Sequence, residues 1–352
     1  MSLLDRTIAE ILPPDRGREA GIRARLDRLT KPPGSLGDLE ELAVRYCLAT
    51  GTSAPRMGKK MIFTFAGDHG VAAEGVSAYP RNVTARMVRN MLAGGAAVNV
   101  LARHAGVEVR VVDIGVDDPL ENALGLIERK IRRGTANIAE GPAMTREEAR
   151  GAVEVGIDLA RRGAAEGATL IGTGEMGIAN TTPSSAIFAA LLPCGAKEVT
   201  GRGTGIDEET LRRKIAVVER ALAANGGGLS DPLTALASVG GMEIAGICGL
   251  ILGAASRRVP VVVDGFISSA GALVALRMCP PLKAYLFFSH LSTETGHEVF
   301  LERFGVRPIL DLGMRLGEGT GAALAMFLIE AAVRLYNEMA TFQSAGISEK
   351  GA

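Results

Sequence analysis

The chain has 352 residues, of which 47% are hydrophobic and only 4% aromatic, and it contains 45 glycines. This length suits one large domain or a domain with an accessory one, and the abundant small residues favour closely packed α/β layers. Lys plus Arg equals Asp plus Glu at 39 each. The balanced charge predicts no nucleic-acid partner and no attraction to an anionic membrane.

Targeting and metal-binding signals are absent from the sequence. The N-terminus lacks the apolar core of a signal peptide, and the longest apolar stretches, 241–255 and 319–335, contain charged residues and are shorter than the ~20 residues of a membrane span. The four cysteines form no C-x-x-C pair, which argues against a zinc site or a disulfide framework. We therefore expect a soluble cytoplasmic protein without a metal site.

Short β-rich runs alternate with longer helical patterns along the chain. Several runs are apolar on both faces, as buried parallel strands are, and the predicted strands are 60–66, 107–115, 168–174, 259–265, 284–290 and 308–313. The predicted helical segments are 82–104, 145–165, 207–224, 233–256 and 319–340. This alternation predicts an α/β fold with a doubly wound, mainly parallel six-stranded Rossmann-like sheet. Ligands bind such sheets beyond the carboxyl ends of the strands.

The two ends of the chain differ from the middle. Residues 1–50 hold two helical patterns joined by a stiff turn at 31–37, and no strand precedes them. The last predicted helix is not followed by a strand. We therefore predict a small helical domain from residues 1–54 and 326–352, beside a large α/β substrate-binding and catalytic domain of residues 55–325.

Two glycine-rich runs are candidate phosphate sites. GTGEMG (172–177) has the spacing of a dinucleotide fingerprint, but it follows the third predicted strand instead of the first. Asn180 and two threonines come next. They could bind a phosphate or a ribose hydroxyl at a helix N-terminus, or they could simply cap the helix. GRGTGID (201–207) precedes a helix with Lys214, so this loop predicts either a phosphate cradle or solvated helix charges. Both alternatives stay open for each run on these residues alone.

Two further segments have a structural and a functional interpretation. Asp68 and His69 follow the first predicted strand; with no paired histidine spacing, a buried Asp that organises loops is favoured over a metal or acid/base role. Tyr79 and Met87 flank a proline turn and suit either the core or the walls of a flat apolar pocket. These residues alone do not decide between the two.

Glu318 stands among three glycines before a long apolar helix, in RLGEGTG. The helix macrodipole would lower the pKa of a carboxyl group there and make it a cap. Burial beside the apolar helix would instead raise its pKa and make it a candidate base. These two effects leave a cap and a general base equally favoured.

Six motifs together resemble one family. They occur in the family's order between about residues 8 and 340, and they are KPPGSLGDLE, GDHGVAAEGV, GEMGIANTTPSSA, VGGMEIAGICGLILGAA, VVVDGFISSAGAL and MRLGEGTGAALAM. The chain thus resembles the nicotinate-nucleotide:dimethylbenzimidazole phosphoribosyltransferases. The resemblance implies phosphoribosyl transfer from nicotinate mononucleotide to 5,6-dimethylbenzimidazole or a related base. It also implies a homodimer and no metal or redox cofactor.

The resemblance also implies the site residues, with Glu318 as the general base. Joined to the loop argument for Asn180, it gives a nucleotide-binding set of Glu175, Gly177, Asn180, Gly203, Lys214 and Ser292. The pocket for the aromatic base is implied to consist of Tyr79, Pro80, Val83, Met87 and Leu316. Two other functions are alternatives: a nucleotide-binding oxidoreductase, which rests on GTGEMG, and a non-catalytic nucleotide-binding regulator, which the presence of Glu318 disfavours.

Overall fold

A computed structural model describes residues 1–120 and 123–348. The strands within these residues are β1 (Lys59–Gly67), β2 (Glu108–Gly115), β3 (Ile127–Glu128), β4 (Ala168–Met176), β5 (Val261–Val263) and β6 (Leu286–Phe288). They form one sheet in the order β3-β2-β1-β4-β5-β6, with every neighbouring pair parallel. The predicted α/β fold with a six-stranded parallel sheet is confirmed. The chain changes direction across the sheet between β1 and β4, where such folds bind ligands.

Two details of the predicted sheet are wrong. Residues 308–313 form no strand, because Pro308 lacks a ladder donor and only Leu310 makes an isolated parallel bridge, to His290. The sixth strand is the two-residue β3, whose partners on β2 are Val112 and Asp113. A strand of two residues is too short to give an alternating pattern.

Helices flank the sheet in the described residues, and two predicted helices are each split by a glycine pair. The segment 82–104 breaks at Gly94 and Gly95, and 233–256 breaks at Gly240 and Gly241. The helices are α1 (Leu3–Glu10), α2 (Glu19–Asp27), α3 (Asp38–Thr50), α4 (Val83–Leu92), α5 (Ala97–Ala105), α6 (Arg146–Ala165), α7 (Thr181–Leu191), α8 (Ala196–Val199), α9 (Glu208–Asn225), α10 (Pro232–Val239), α11 (Met242–Ser256), α12 (Phe266–Met278), α13 (Thr295–Arg303), α14 (Thr320–Glu338) and α15 (Phe342–Ala345). Short 3₁₀ turns occupy Arg16–Arg18, Gly70–Glu74 and Pro280–Tyr285. None of the described helices is long and apolar enough to cross a membrane.

The sheet separates two apolar cores. Met61, Phe63 and Phe65 of β1 point into one core, which contains side chains of α6, α11 and α12. The alternate residues Ile62 and Ala66 point into the other, which contains side chains of α3, α5 and α14. Because successive strand residues face opposite sides, a strand with apolar residues on both faces serves both cores.

The two ends of the chain contact each other. The Thr30 amide donates to the Ala340 carbonyl at 2.9 Å, and the Arg25 Nε donates to the Tyr336 carbonyl at 3.0 Å. Helix α14 packs on α3 and also on the sheet. The division into a large and a small domain stays a prediction.

Candidate active site

A cavity of about 360 Å³ lies at the carboxyl ends of the strands. Its walls come from the residues that follow β4, β5 and β6, from α4, from the loop before α9 and from the loop before α14. The volume is within the range of small-molecule sites. Ten of the twelve predicted site residues line it: Tyr79, Val83, Met87, Glu175, Gly177, Asn180, Gly203, Ser292, Leu316 and Glu318.

The other two predicted residues, Pro80 and Lys214, do not line the cavity. Pro80 lies in the exposed turn before α4, where its carbonyl accepts from the Val83 amide at 3.1 Å. Lys214 is fully buried in α9, and its Nζ donates to Thr181 Oγ1 at 2.8 Å and to the Gly201 carbonyl at 3.0 Å. Both residues therefore shape elements that reach the cavity.

Glu318 is buried at the inner end of the cavity. Its Oε2 accepts from the Val98 amide at 3.1 Å, in the first turn of α5, so the carboxylate caps a neighbouring helix instead of its own. Burial raises the pKa of this carboxyl group, and the hydrogen bonds from Val98 and Ala97 oppose that shift. The result is a desolvated carboxylate that lines a ligand-sized cavity, and such a group can accept a proton.

Glu175 is a second buried acid at the same end. It lies at the end of β4, where the Asn180 side-chain amide donates to its Oε2. Burial, reinforced by the nearby charge of Asp264, raises the pKa of Glu175 to about 8. Glu175 is therefore protonated at neutral pH and can act as a hydrogen-bond donor there.

The polar end of the cavity contains protein groups that could bind an anion. Gly203 approaches Thr181 and Lys214, since a Cβ built on Gly203 would lie 3.3 Å from Lys214 Nζ. Burial lowers the pKa of Lys214 to about 8, and the nearby Glu294 opposes that shift. The Ser292 side chain accepts from the Glu294 amide at 3.3 Å. Hydroxyl groups, a glycine loop and a buried cation thus meet at one end.

Apolar side chains form the mouth of the cavity. Tyr79 is 54% exposed and Leu316 is 58% exposed, so both leave a large side-chain surface open to solvent at the cavity. Val83 and Met87 lie one turn apart on α4 and are half-buried. A flat apolar ligand would remove these surfaces from water.

Several residues of the site were missed by the sequence predictions. Asp264 stands just behind the cavity wall, and the missed lining residues include His290, Glu294, Arg315 and Gly265. Arg315 Nη1 donates to the Gly203 carbonyl at 3.0 Å and so joins the two loops. Their signal was present, because each lies at or just after the end of a predicted strand or within a quoted motif, as Arg315 does in RLGEG.

Asp68 and His69 lie beneath this site. The Asp68 carboxylate accepts from the Asp117 amide at 2.8 Å, so it organises loops, as the favoured interpretation predicted. His69 Nε2 is 2.8 Å from the Glu243 carboxylate, and both side chains are buried. Within the described residues, no three His, Cys, Asp or Glu side chains form a group that could hold a metal ion.

The glycines of GTGEMG have a packing role in this structure. Gly172 and Gly174 lie inside β4, and a Cβ on Gly172 would come within 2.7 Å of Met326 on α14. The dinucleotide fingerprint requires its glycines in the turn between strand and helix. The basis for the oxidoreductase alternative is therefore removed.

The sheet order and the cavity define an α/β protein with a site of small-molecule size at the carboxyl ends of its strands. The model of a family described as phosphoribosyltransferase matches residues 11–347. The chain is 60% identical over 348 residues to the nicotinate-nucleotide–dimethylbenzimidazole phosphoribosyltransferase of Geobacter sp. (strain M21), covering 99% of this chain and 100% of the relative. The protein of the same name from Pelodictyon phaeoclathratiforme is 59% identical over 348 residues, covering 99% of this chain and 97% of the relative.

A solved structure agrees with these relatives. The crystal structure of CobT from Thermus thermophilus matches with a TM-score of 0.91 at 51% identity, covering 95% of this chain and 100% of that one. The chain therefore belongs to this phosphoribosyltransferase family, and it is an enzyme.

Proposed function

We propose that this enzyme transfers the phosphoribosyl group of nicotinate mononucleotide to 5,6-dimethylbenzimidazole or a related base. The products are α-ribazole 5′-phosphate and nicotinate. Near full-length relatives about 60% identical to this chain carry both substrates in their names, which supports the proposal. The observation that carries it is the buried Glu318 carboxylate in the wall of the cavity.

The reaction exchanges one C1′–N bond for another. An imidazole-type nitrogen of the incoming base attacks C1′ with inversion, and the bond to the nicotinate ring breaks. Departure restores a neutral ring from a pyridinium, so the leaving group needs no acid. The incoming base carries an N–H proton, which passes to Glu318. Assistance by a positioned base accelerates such steps by ~10²–10⁴-fold.

Each end of the cavity suits one part of the substrates. At the polar end, Gly177, Gly203 and Ser292 bind the 5′-phosphate, with Lys214 behind them as a buried cation. Glu175 and Asn180 contact the nucleotide beside Glu318. At the apolar mouth, the base lies among Tyr79, Val83, Met87 and Leu316, and Pro80 sets the turn that carries Tyr79.

The substitution Glu318→Gln tests the proposal, because it keeps the side chain's size and removes proton acceptance. We expect kcat to fall by ~10²-fold or more with little change in nucleotide affinity. Glu338→Gln, an exposed glutamate at the other end of α14, is the matched control and keeps wild-type activity.

The pH profile provides a second readout of Glu318. A protonated carboxyl group cannot accept a proton, and burial raises its pKa, so kcat should decline on the acid side at a pH above the ordinary glutamate value of 4.5. The Gln variant should lose this acid limb. Near-normal kcat with an unchanged limb would show that another group removes the proton.

The predicted assembly also belongs to this proposal. We propose a homodimer and a small helical domain built from residues 1–54 and 326–352. Val100 and Phe327, large apolar side chains on α5 and α14, are about half exposed, which favours a second copy as cover. Sedimentation should give twice the 36.6 kDa of one chain; a single-chain mass at micromolar concentration would exclude the dimer.

A further inference from the structure

The backbone that carries Glu318 is strained. Gly317, Glu318 and Gly319 have φ angles of 89°, 64° and 104°, three consecutive left-handed residues. Glycine adopts such angles freely, whereas a residue with a Cβ is disfavoured there. Strain of this kind persists only where neighbouring groups hold the backbone in place. The groups that do so here come from two different strands.

Asp264 holds the peptide group on the helix side of Glu318. Its Oδ2 accepts from the Gly319 amide at 3.1 Å, and its Oδ1 accepts from the Ala322 amide at 3.0 Å. Asp264 follows β5 and is almost fully buried; its own amide donates to Thr173 Oγ1 at 3.0 Å. The carboxylate is thus fixed to the sheet and caps the first turn of α14.

Thr64 holds the carbonyl of Glu318 itself. This residue of β1 is fully buried, and its Oγ1 donates to the Glu318 carbonyl at 2.9 Å. The neighbouring strand leaves room for the carbonyl at Gly174, where a Cβ would lie 2.3 Å from the same oxygen. Residues of β1 and β4 together therefore fix the position of the Glu318 carbonyl.

We propose that Thr64 and Asp264 are positioning residues for Glu318, which fix its backbone on both sides so that the carboxylate points into the cavity. Neither residue lines the cavity. Thr64 acts through the Glu318 carbonyl, whereas the charge of Asp264 also raises the pKa of Glu175, so Thr64 is the cleaner of the two to test. This inference rests on the proposed function, because it assumes that Glu318 is the general base. It assigns a part in catalysis to one residue of β1 and to one that follows β5, both of which set the backbone geometry of Glu318.

A pair of variants at Thr64 tests the proposal. Thr64→Val keeps the shape and removes the hydroxyl donor, whereas Thr64→Ser keeps the donor. We expect Thr64→Val to lower kcat about tenfold or more, since small misplacements of catalytic groups have effects up to ~10²-fold. The KM for nicotinate mononucleotide should stay within about twofold, and Thr64→Ser should restore most of kcat.

A double-mutant cycle separates positioning from a general structural role. If Thr64 acts only through Glu318, adding Thr64→Val to Glu318→Gln should lower kcat no further. Thr64→Val with wild-type kcat, or an additive loss in the double variant, overturns the proposal. A fully active Glu318→Gln would overturn the proposed function instead, so the two failures are distinguishable.

One further variant keeps the test decisive if Thr64→Val does not fold. Asp264→Asn, which retains one acceptor oxygen, enters the same cycle and should behave like Thr64→Val. If neither variant folds by circular dichroism, both residues are structural and the proposal is overturned.

Discussion

Lys214 is a buried cation with neutral hydrogen-bond partners, Thr181 and the Gly201 carbonyl. Burial lowers the pKa of Lys214 to about 8, so at pH 8 only part of the population carries the charged ammonium group. A phosphate bound at Gly203 would raise this pKa, because an adjacent anion favours the charged form. The side chain should therefore respond to a bound phosphate even though it does not line the cavity.

We predict that nicotinate mononucleotide binding at pH 8 takes up protons. Calorimetry in two buffers with different ionisation enthalpies measures the uptake, and Lys214→Met should abolish it. A charged hydrogen bond contributes roughly 1.5–3 kcal/mol, so the nucleotide KM of Lys214→Ala should rise about tenfold or more. Binding without proton uptake and with an unchanged KM would remove Lys214 from the phosphate site.

Met87 is predicted to set the choice of base. It lines the cavity from α4, whereas Met91, one turn further along the same helix, is buried in the core. Met87→Ala should enlarge the pocket and relax discrimination among benzimidazoles, since a methylene or two is worth ~1–3 kcal/mol in such pockets. Relative kcat/KM across a series of bases is the measurement.

The matched variant Met91→Ala should lower stability and leave the order of bases unchanged, because a buried methionine loses core contacts. Identical relative kcat/KM values for Met87→Ala and the wild type would place Met87 in the core instead. The apolar pattern of α4 does not distinguish the two methionines. The orientation of the helix separates their positions.

At the scale of helices and strands, the periodicity of apolar residues predicted the long elements. Two predicted helices were too long, and in each the error lies at a glycine pair. The helix α6 begins where the predicted segment 145–165 begins, and the Glu148 amide donates to Thr145 Oγ1 at 3.1 Å as an N-terminal cap. Gly94 and Gly240 lie inside long apolar patterns, and the pattern gave no sign that they end a helix. The backbone of these glycines makes the breaks, since Gly94 has a left-handed φ of 78° and Gly240 is extended, and the periodicity of apolar residues does not record backbone angles.

Glycines also allow a close contact between the helices α6 and α11. A Cβ on Gly249 of α11 would lie 1.8 Å from the Val153 carbonyl of α6. Gly249→Ala should therefore lower the free energy of unfolding by about 1–3 kcal/mol. Gly21→Ala in α2, where no atom lies within 4 Å, is the matched control.

The control should be neutral or raise the free energy of unfolding by up to about 1 kcal/mol, since alanine is the better helix former. Urea denaturation of both variants measures the difference. Equal effects would show that the backbones of α6 and α11 separate at little cost.

At the scale of the whole molecule, the sheet order brings together acids that are distant in sequence. Glu175, Asp264 and Glu318 follow or end different elements, and motif reasoning found two of them. Asp264 lies at the end of a predicted strand, but its contacts with backbone amides of α14 are not visible in a side-chain pattern, so its role was missed. The position of Glu318 was predicted, but its contact with the first turn of α5 required the fold.

This cluster of acids makes stability depend on pH. Burial raises the pKa of Glu175 to about 8 and that of Asp264 to about 7, above their ordinary values of 4.5 and 3.8. The folded protein therefore binds protons that the unfolded chain has released, so its stability falls as pH rises towards 8. The pKa of His69, raised by its partner Glu243 against the effect of burial, acts in the same direction.

We predict that the decline is clearest between about pH 6.5 and pH 8. Near pH 8 Lys214 opposes it, because burial lowers its pKa to about 8 and the unfolded chain then binds this proton more tightly. Below that window, His290 and His297 oppose it, because burial lowers their pKa values to about 4 and about 3, and stability then rises with pH up to their ordinary value of 6.5. Each carboxyl group contributes a slope of up to about 1.4 kcal/mol per pH unit. Urea denaturation at pH 6.5, 7.2 and 8 should show the loss, with a shallower slope for Glu175→Gln and a wild-type slope for Glu338→Gln. Constant stability across this window would mean that the buried acids lose their protons without cost, and that solvent or a cation reaches them in the folded protein.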